Sequence, residues 1–180
     1  MVQERQKVDA ATFDVWVAEQ PENRLFELVH GEVFEKPMVT QDGHGIAVSV
    51  IISYLTQHLI ANDLNGYVTG ETSGYLIGNK RCIPDGALVL DQSPTGEAYS
   101  TNTPTLIIEI ISNDESNTEL RALALKREIY LDAGMVVWEG STEGRYVDVF
   151  TPDGHYRRVR DSLTLETLPG LEIPLGRVFR

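Results

Sequence analysis

Two hydrophobic periods alternate along the chain. Phe13, Trp16 and Val17 recur at helical spacing between Thr12 and Pro21, which predicts a two-turn helix with Thr12 as its N-cap. Leu25-Phe26-Glu27-Leu28-Val29 and Glu32-Val33-Phe34-Glu35 flank His30-Gly31 as the strands of a hairpin. From Gly43 to Leu59 the apolar positions Val48, Ile51, Ile52, Leu55 and Leu59 follow the helical period, over a length no ordinary strand reaches. Gly66 to Ile77 reads as a second pair of strands around turn residues Gly70 to Gly74. Ile83 to Leu90 and Thr105 to Ile111 are almost wholly apolar, the mark of central strands covered on both faces. A helix over Asn117 to Asp132 stops at Ala133-Gly134, and strands follow at Met135 to Trp138 and Tyr146 to Phe150. The tail after Pro152 is β-rich, with turns expected at Asp153-Gly154 and Pro169-Gly170. The order predicts one α/β (α+β) domain over residues 1–180: a central mixed sheet flanked by helices, with an N-terminal hairpin and a β-rich tail.

Composition narrows this picture. The 180 residues, 42% of them apolar, suffice for a real core. The longest apolar run, Leu106 to Ile111, is interrupted by Glu109 and falls far short of the ~18 residues of a membrane span. The start, MVQERQKVDAATF, lacks the apolar core of a signal peptide, and Cys82 is the only cysteine, so a cytoplasmic protein without membrane partners is expected. A net charge of −12 argues against a nucleic-acid surface, because such binding rests on Lys and Arg meeting phosphates. The stretch His155-Tyr156-Arg157-Arg158-Val159-Arg160 is nevertheless basic, either as a solvated strand face or as a phosphate-binding strip.

Three residues carry the candidate chemistry. Glu109 lies inside a run of Leu and Ile, where an unpaired carboxylate would cost several kcal/mol, on the order of buried-charge penalties. Asp85 opens the other apolar strand after Pro84, and two adjacent central strands would bring both carboxylates to one sheet end. Carboxylates that close repel unless a cation lies between them, which points to a divalent ion; an arginine partner or a turn cap is the alternative. At about 100° per residue, Lys126 shares its helix face with Ala122, Leu123, Ile129, Tyr130 and Ala133, opposite Arg121, Glu128 and Asp132. A lysine on that face either snorkels past the core edge or reaches an anionic site.

The series Phe26-Glu27-Leu28-Val29-His30-Gly31-Glu32-Val33, Asp42-Gly43-His44-Gly45, Ile83-Pro84-Asp85, Ile107-Ile108-Glu109-Ile110-Ile111-Ser112, Lys126 before Tyr130-Leu131-Asp132-Ala133-Gly134, Trp138 and Pro169-Gly170-Leu171 resembles the Uma2 family, also known as DUF820, across nearly the whole chain. The resemblance implies a PD-(D/E)XK, restriction-endonuclease-like fold. Its PD motif falls on Pro84-Asp85 and its second acid on Glu109; the usual motif lysine is replaced by Ile111, and the matching lysine is Lys126 on the following helix. Gly86, where relatives often carry a β-branched residue, would loosen the strand beside Asp85. Glu27 matches an early acidic position, as an accessory ligand or a hairpin-face carboxylate, and His44 either contacts a phosphate, orients a carboxylate or is structural. Glu71 and Cys82 carry no expectation.

The implied activity is endonucleolytic hydrolysis of DNA with Mg2+ or Mn2+ held by Asp85 and Glu109, and Lys126 orienting or deprotonating water or neutralising phosphate charge. An idle descendant serving as a binding module is the alternative, and RNA or unusual DNA structures are further substrates. Arg157, Arg158 and Arg160 would border the site as a positive strip, and cutting both strands implies a homodimer. Lys126→Met is expected to leave the fold intact and even to raise stability, since no cation would need desolvating.

Overall fold

The computed structural model describes residues 7–36, 41–111 and 117–180, so Ser112 of the motif series lies outside the described residues. The first helix, α1 (Ala10–Ala18), is capped not by Thr12 but by Asp9, whose carboxylate accepts the Thr12 N–H at 2.8 Å. Strands β1 (Leu25–Val29) and β2 (Glu32–Lys36) form the expected hairpin. Its turn needs positive φ at both central residues, and His30 and Gly31 have φ of 50° and 82°. Helix α2 (Asp42–Ala61) spans the predicted period and a little more. It is also long and apolar enough, by length and composition, to cross a membrane, which counting the longest uninterrupted run overlooked. In the fold its Ala47, Val48, Ile51, Leu55 and Leu59 are buried in the main core.

Strands β3 (Gly66–Thr69) and β4 (Gly74–Ile77) exist as predicted but do not pair with each other; they belong to different sheets. The run read as one strand from Ile83 to Leu90 is a strand only from Gly86, as β6 (Gly86–Leu90), while β5 (Lys80–Cys82) ends just before it. Pro84 has no N–H to give a ladder, and at Ile83-Pro84-Asp85 the chain crosses from one sheet to the other. A short β7 (Tyr99–Ser100) leads to β8 (Leu106–Ile111), followed by α3 (Asn117–Asp132), whose end is marked by Gly134 at φ 83°. Then come β9 (Val136–Ser141), β10 (Tyr146–Phe150), β11 (Tyr156–Val159), β12 (Ser162–Leu165), β13 (Leu168–Pro174) and a last turn, α4 (Leu175–Val178), that the pattern had not indicated. Pro169-Gly170 is not the tail's turn: Glu166-Thr167 makes it, and Pro169 and Gly170 lie within β13.

The central sheet is mixed, in the order β11-β10-β9-β8-β6-β3, with β8 and β9 parallel and its other neighbours antiparallel. One face packs against α2, β13 and α4 through Leu88, Ile108, Ile110 and Trp138. The opposite face, with Ala87, Val89, Ile107 and Val137, packs on Ile129 and Tyr130 of α3 and on Val29 and Tyr75 of a second sheet, β2-β1-β5-β4-β7. That second sheet was not foreseen beyond its hairpin. Coverage on both faces is why β6 and β8 read as continuous apolar runs.

Candidate functional site

Strand alternation sets Glu109 on the same face as Ile107, toward α3. Gly86 pairs with Ile108, and one step along this antiparallel register Asp85 stands opposite Glu109. Because β6 begins only at Gly86, the ladder would leave the Ile110 N–H without a partner. The Asp85 carboxylate takes that place, accepting the Ile110 N–H on Oδ2 at 2.7 Å. Its other oxygen, Oδ1, accepts from Lys36 Nζ at 2.6 Å, and the same ammonium donates to the Ile83 carbonyl at 2.9 Å. Gly86 does not loosen this strand: a Cβ there would press on Ile108 Cδ1 at 3.2 Å, so the position is closely packed.

Lys126 reaches from α3 to the second carboxylate. Its Nζ lies 2.7 Å from Glu109 Oε1 and 3.0 Å from Glu27 Oε1. Tyr130, one turn on, donates its hydroxyl to Glu109 Oε1 at 3.1 Å. Glu27 also accepts the Ile83 N–H at 2.6 Å, tying β1 to the Ile83-Pro84-Asp85 crossing. Glu27, His44, Asp85, Glu109 and Lys126 are each only 4–6% exposed, so these charges interact with little solvent screening.

The titration of the site follows from that burial. Burial pushes the Glu109 carboxyl up to about 7, and Lys126 offsets this only in part while Asp85 adds to it. Burial works against the Lys126 cation, yet Glu109 and Glu27 outweigh it and hold the lysine above its ordinary value. Burial also penalises the Asp85 anion, but His44 and Lys36 prevail and hold it well below the usual carboxylate range. Tyr130 is pushed well above its ordinary value, chiefly by burial, so it remains a donor.

His44, in the first turn of α2, completes the Asp85 side. Its Nε2 is 3.5 Å from Asp85 Oδ2 and 3.0 Å from Glu71 Oε1, where Glu71 sits in the turn between β3 and β4. Burial disfavours the charged imidazole, but Asp85 and Glu71 outweigh it and raise its pKa. Ligand atoms of His44, Glu71 and Asp85 all lie within 4.8 Å of one another. This donor set of one imidazole and two carboxylates fits a divalent cation. Its contact geometry also leaves polar atoms on His44 and Glu71 without hydrogen bonds.

Asp85, Glu109, Lys126, Glu27 and His44 thus converge on one end of the central sheet. Arg157, Arg158 and Arg160 do not. They lie on or just past β11, which is three strands from β8 and so roughly 14 Å away at the ordinary strand spacing. Arg158 is held by Asp148 at 2.8 Å and stacks over Tyr146, Arg160 donates to the Gly144 carbonyl, and Arg157 donates to Thr164. The strip is therefore not a rim of the carboxylate site. Sequence reasoning passed over Glu71, for which a turn position gives no signal, and gave Lys36 no place beside Asp85. It also missed Glu139, in register with Glu109 on β9 and bound to Arg127 at 2.8 Å. A carboxylate directly after Trp138 in an apolar strand was the available clue.

A mixed sheet flanked by helices, with Glu109 on β8, Asp85 opposite it at the crossing into β6 and Lys126 reaching Glu109 from α3, has the restriction-endonuclease-like fold. The chain belongs to the Uma2 family, described as "putative restriction endonuclease", whose family model matches residues 10–177. Its fold is similar to the crystal structure of a "putative nuclease belonging to DUF820" from Anabaena variabilis ATCC 29413, with a TM-score of 0.76, 17% identity, and 96% of this chain and 97% of that one covered. No curated protein matches the chain.

Proposed function

We propose that the protein is a divalent-metal-dependent endonuclease that hydrolyses phosphodiester bonds of DNA. The observation that carries this reading is the buried group in which Asp85 faces Glu109 across two strands while Lys126 lies 2.7 Å from Glu109. Asp85 and Glu109 would hold Mg2+ or Mn2+. Bound there, the ion would polarise the scissile phosphate and lower the pKa of a coordinated water. Lys126, kept protonated by its two carboxylates, serves as a cation facing developing phosphate charge rather than as a base. Tyr130 fixes the Glu109 oxygen that Lys126 also holds, and Glu27 positions the Lys126 ammonium. Supercoiled plasmid incubated with Mg2+ or Mn2+ should be nicked or linearised, and chelation should stop it. Asp85→Asn and Glu109→Gln should each slow cleavage by about 10²-fold or more, the scale of several kcal/mol of lost transition-state stabilisation. Plasmid left intact with both ions, or cut by both variants at wild-type rates, would sink the reading. Two cut strands call for two sites, so a homodimer is the assembly this reading favours, and light scattering in solution tests it.

A second reading, an idle fold serving as a binding module, has its own support: Lys36 and Lys126 already neutralise Asp85 and Glu109 without an ion. Calorimetric titration with Mg2+ and with Mn2+ bears on the choice, since the enzyme must bind one of these ions whereas the idle protein need bind neither.

A further inference from the structure

We propose that His44 and Glu71 are direct ligands of the ion that Asp85 anchors, making an imidazole-bearing site selective for a first-row transition cation such as Mn2+. The inference rests on the metal-dependent reading above and deepens it. His44 is 95% shielded, being 5% exposed, yet neither Nδ1 nor Nε2 has a hydrogen-bond partner among the described residues, and Glu71 Oε1 is buried and equally unpartnered. A buried imidazole with both nitrogens unsatisfied is costly. Nε2 and Glu71 Oε1 are only 3.0 Å apart but misaligned for a hydrogen bond, and Asp85 Oδ2 lies 3.5 Å from Nε2. Two adjacent ligands of an octahedral ion bound at about 2.1 Å sit about 3.0 Å apart, so the spacing fits ligands of one cation, and the misalignment favours that over a hydrogen-bonded pair.

The three donors come from separate elements: the first turn of α2, the β3–β4 turn and the crossing before β6. Such convergence from distant parts of the chain is unlike an exposed acidic cluster. A nitrogen ligand also shifts preference away from Mg2+, which takes oxygen ligands, toward ions that accept imidazole.

The test is pulsed electron paramagnetic resonance of Mn2+ bound to the full chain, with DNA cleavage followed in the same Mn2+ buffer. The expected spectrum carries nitrogen modulation from one coordinated imidazole. His44→Ala should remove that modulation, and Glu71→Gln, in a half-buried turn, should weaken Mn2+ affinity by at least about tenfold while keeping it. The wild-type spectrum and the Glu71→Gln titration stand even if His44→Ala fails to fold. Bound Mn2+ without nitrogen modulation, or modulation that survives His44→Ala, overturns the assignment of His44, and cleavage persisting in that case leaves the nuclease reading intact. A nitrogen-coupled ion in a protein that never cuts DNA supports the site and overturns the nuclease reading alone. Absence of bound Mn2+ overturns the ligand assignment, and DNA cleavage with Mg2+ in that case leaves the metal-dependent reading standing.

Discussion

Lys126 places one positive charge between two buried carboxylates, Glu109 at 2.7 Å and Glu27 at 3.0 Å. Removing it leaves both acids without their cation, and breaking a buried charge pair from one side costs about 3–5 kcal/mol. Lys126→Met should therefore lower stability by that order at pH 8, measured by urea unfolding, and should also stop metal-dependent cleavage. A variant as stable as wild type at pH 8 would contradict this. The structure turns the expectation from a gain to a loss, because Glu27 shares the same ammonium, which nothing in the pattern revealed. What the sequence did disclose was the direction of the side chain: helical spacing set Lys126 among Leu123, Ile129 and Tyr130, and it is buried on that side. Glu109 was legible for a similar reason, as a lone acid in an apolar strand. His44 was legible only by resemblance, and Glu71 not at all, since its relation to Asp85 exists only once β3 and β6 are paired.

At the scale of elements, β8 and β9 run parallel and set Glu109 beside Glu139. Burial pushes the Glu139 carboxyl up to about 7, Arg127 offsets this in part and Glu109 adds to it. An acid whose folded pKa is raised keeps its proton in the native state while the unfolded chain loses it. Native protein then binds more protons between pH about 4.5 and about 7, so stability declines as pH rises through that window. Glu139→Gln should remove the Glu139 share of that decline and leave what Glu109 contributes, changing the difference in unfolding free energy between pH 5 and pH 8 by up to about 3 kcal/mol. An identical pH dependence in wild type and variant would refute the buried titration. The elements themselves were legible wherever period and punctuation agreed, as in α2, α3 and the His30-Gly31 hairpin. They were misread where the deciding interaction is long-range: β3 and β4 look like a hairpin, yet each finds its partner in a different sheet. Pro169-Gly170 carries a turn's residues inside a strand, and Pro84-Asp85 delays to Gly86 the strand that the pattern starts at Ile83.

For the whole molecule, a charge of −12 opposes approach to a polyanion, so any duplex must be met by local positive charge. On β11, Arg158 is already paired with Asp148, whereas Arg157 and Arg160 donate only to neutral oxygens and keep their charge to offer. If both contact phosphates, Arg157→Gln with Arg160→Gln should reduce the slope of log affinity against log salt by about 1.8, and an unchanged slope would remove β11 from the interface. The crossing at Ile83-Pro84-Asp85 has a wider consequence. Glu27 comes from the second sheet, Glu109 from the central one, Lys126 from α3, and Asp85 from the bridge between the sheets. No single hairpin, helix or half of the chain carries a complete set, so the site exists only once the two sheets and α3 have docked. On the nuclease reading proposed above, an emerging or half-folded chain carries no complete site with which to cut nearby nucleic acid.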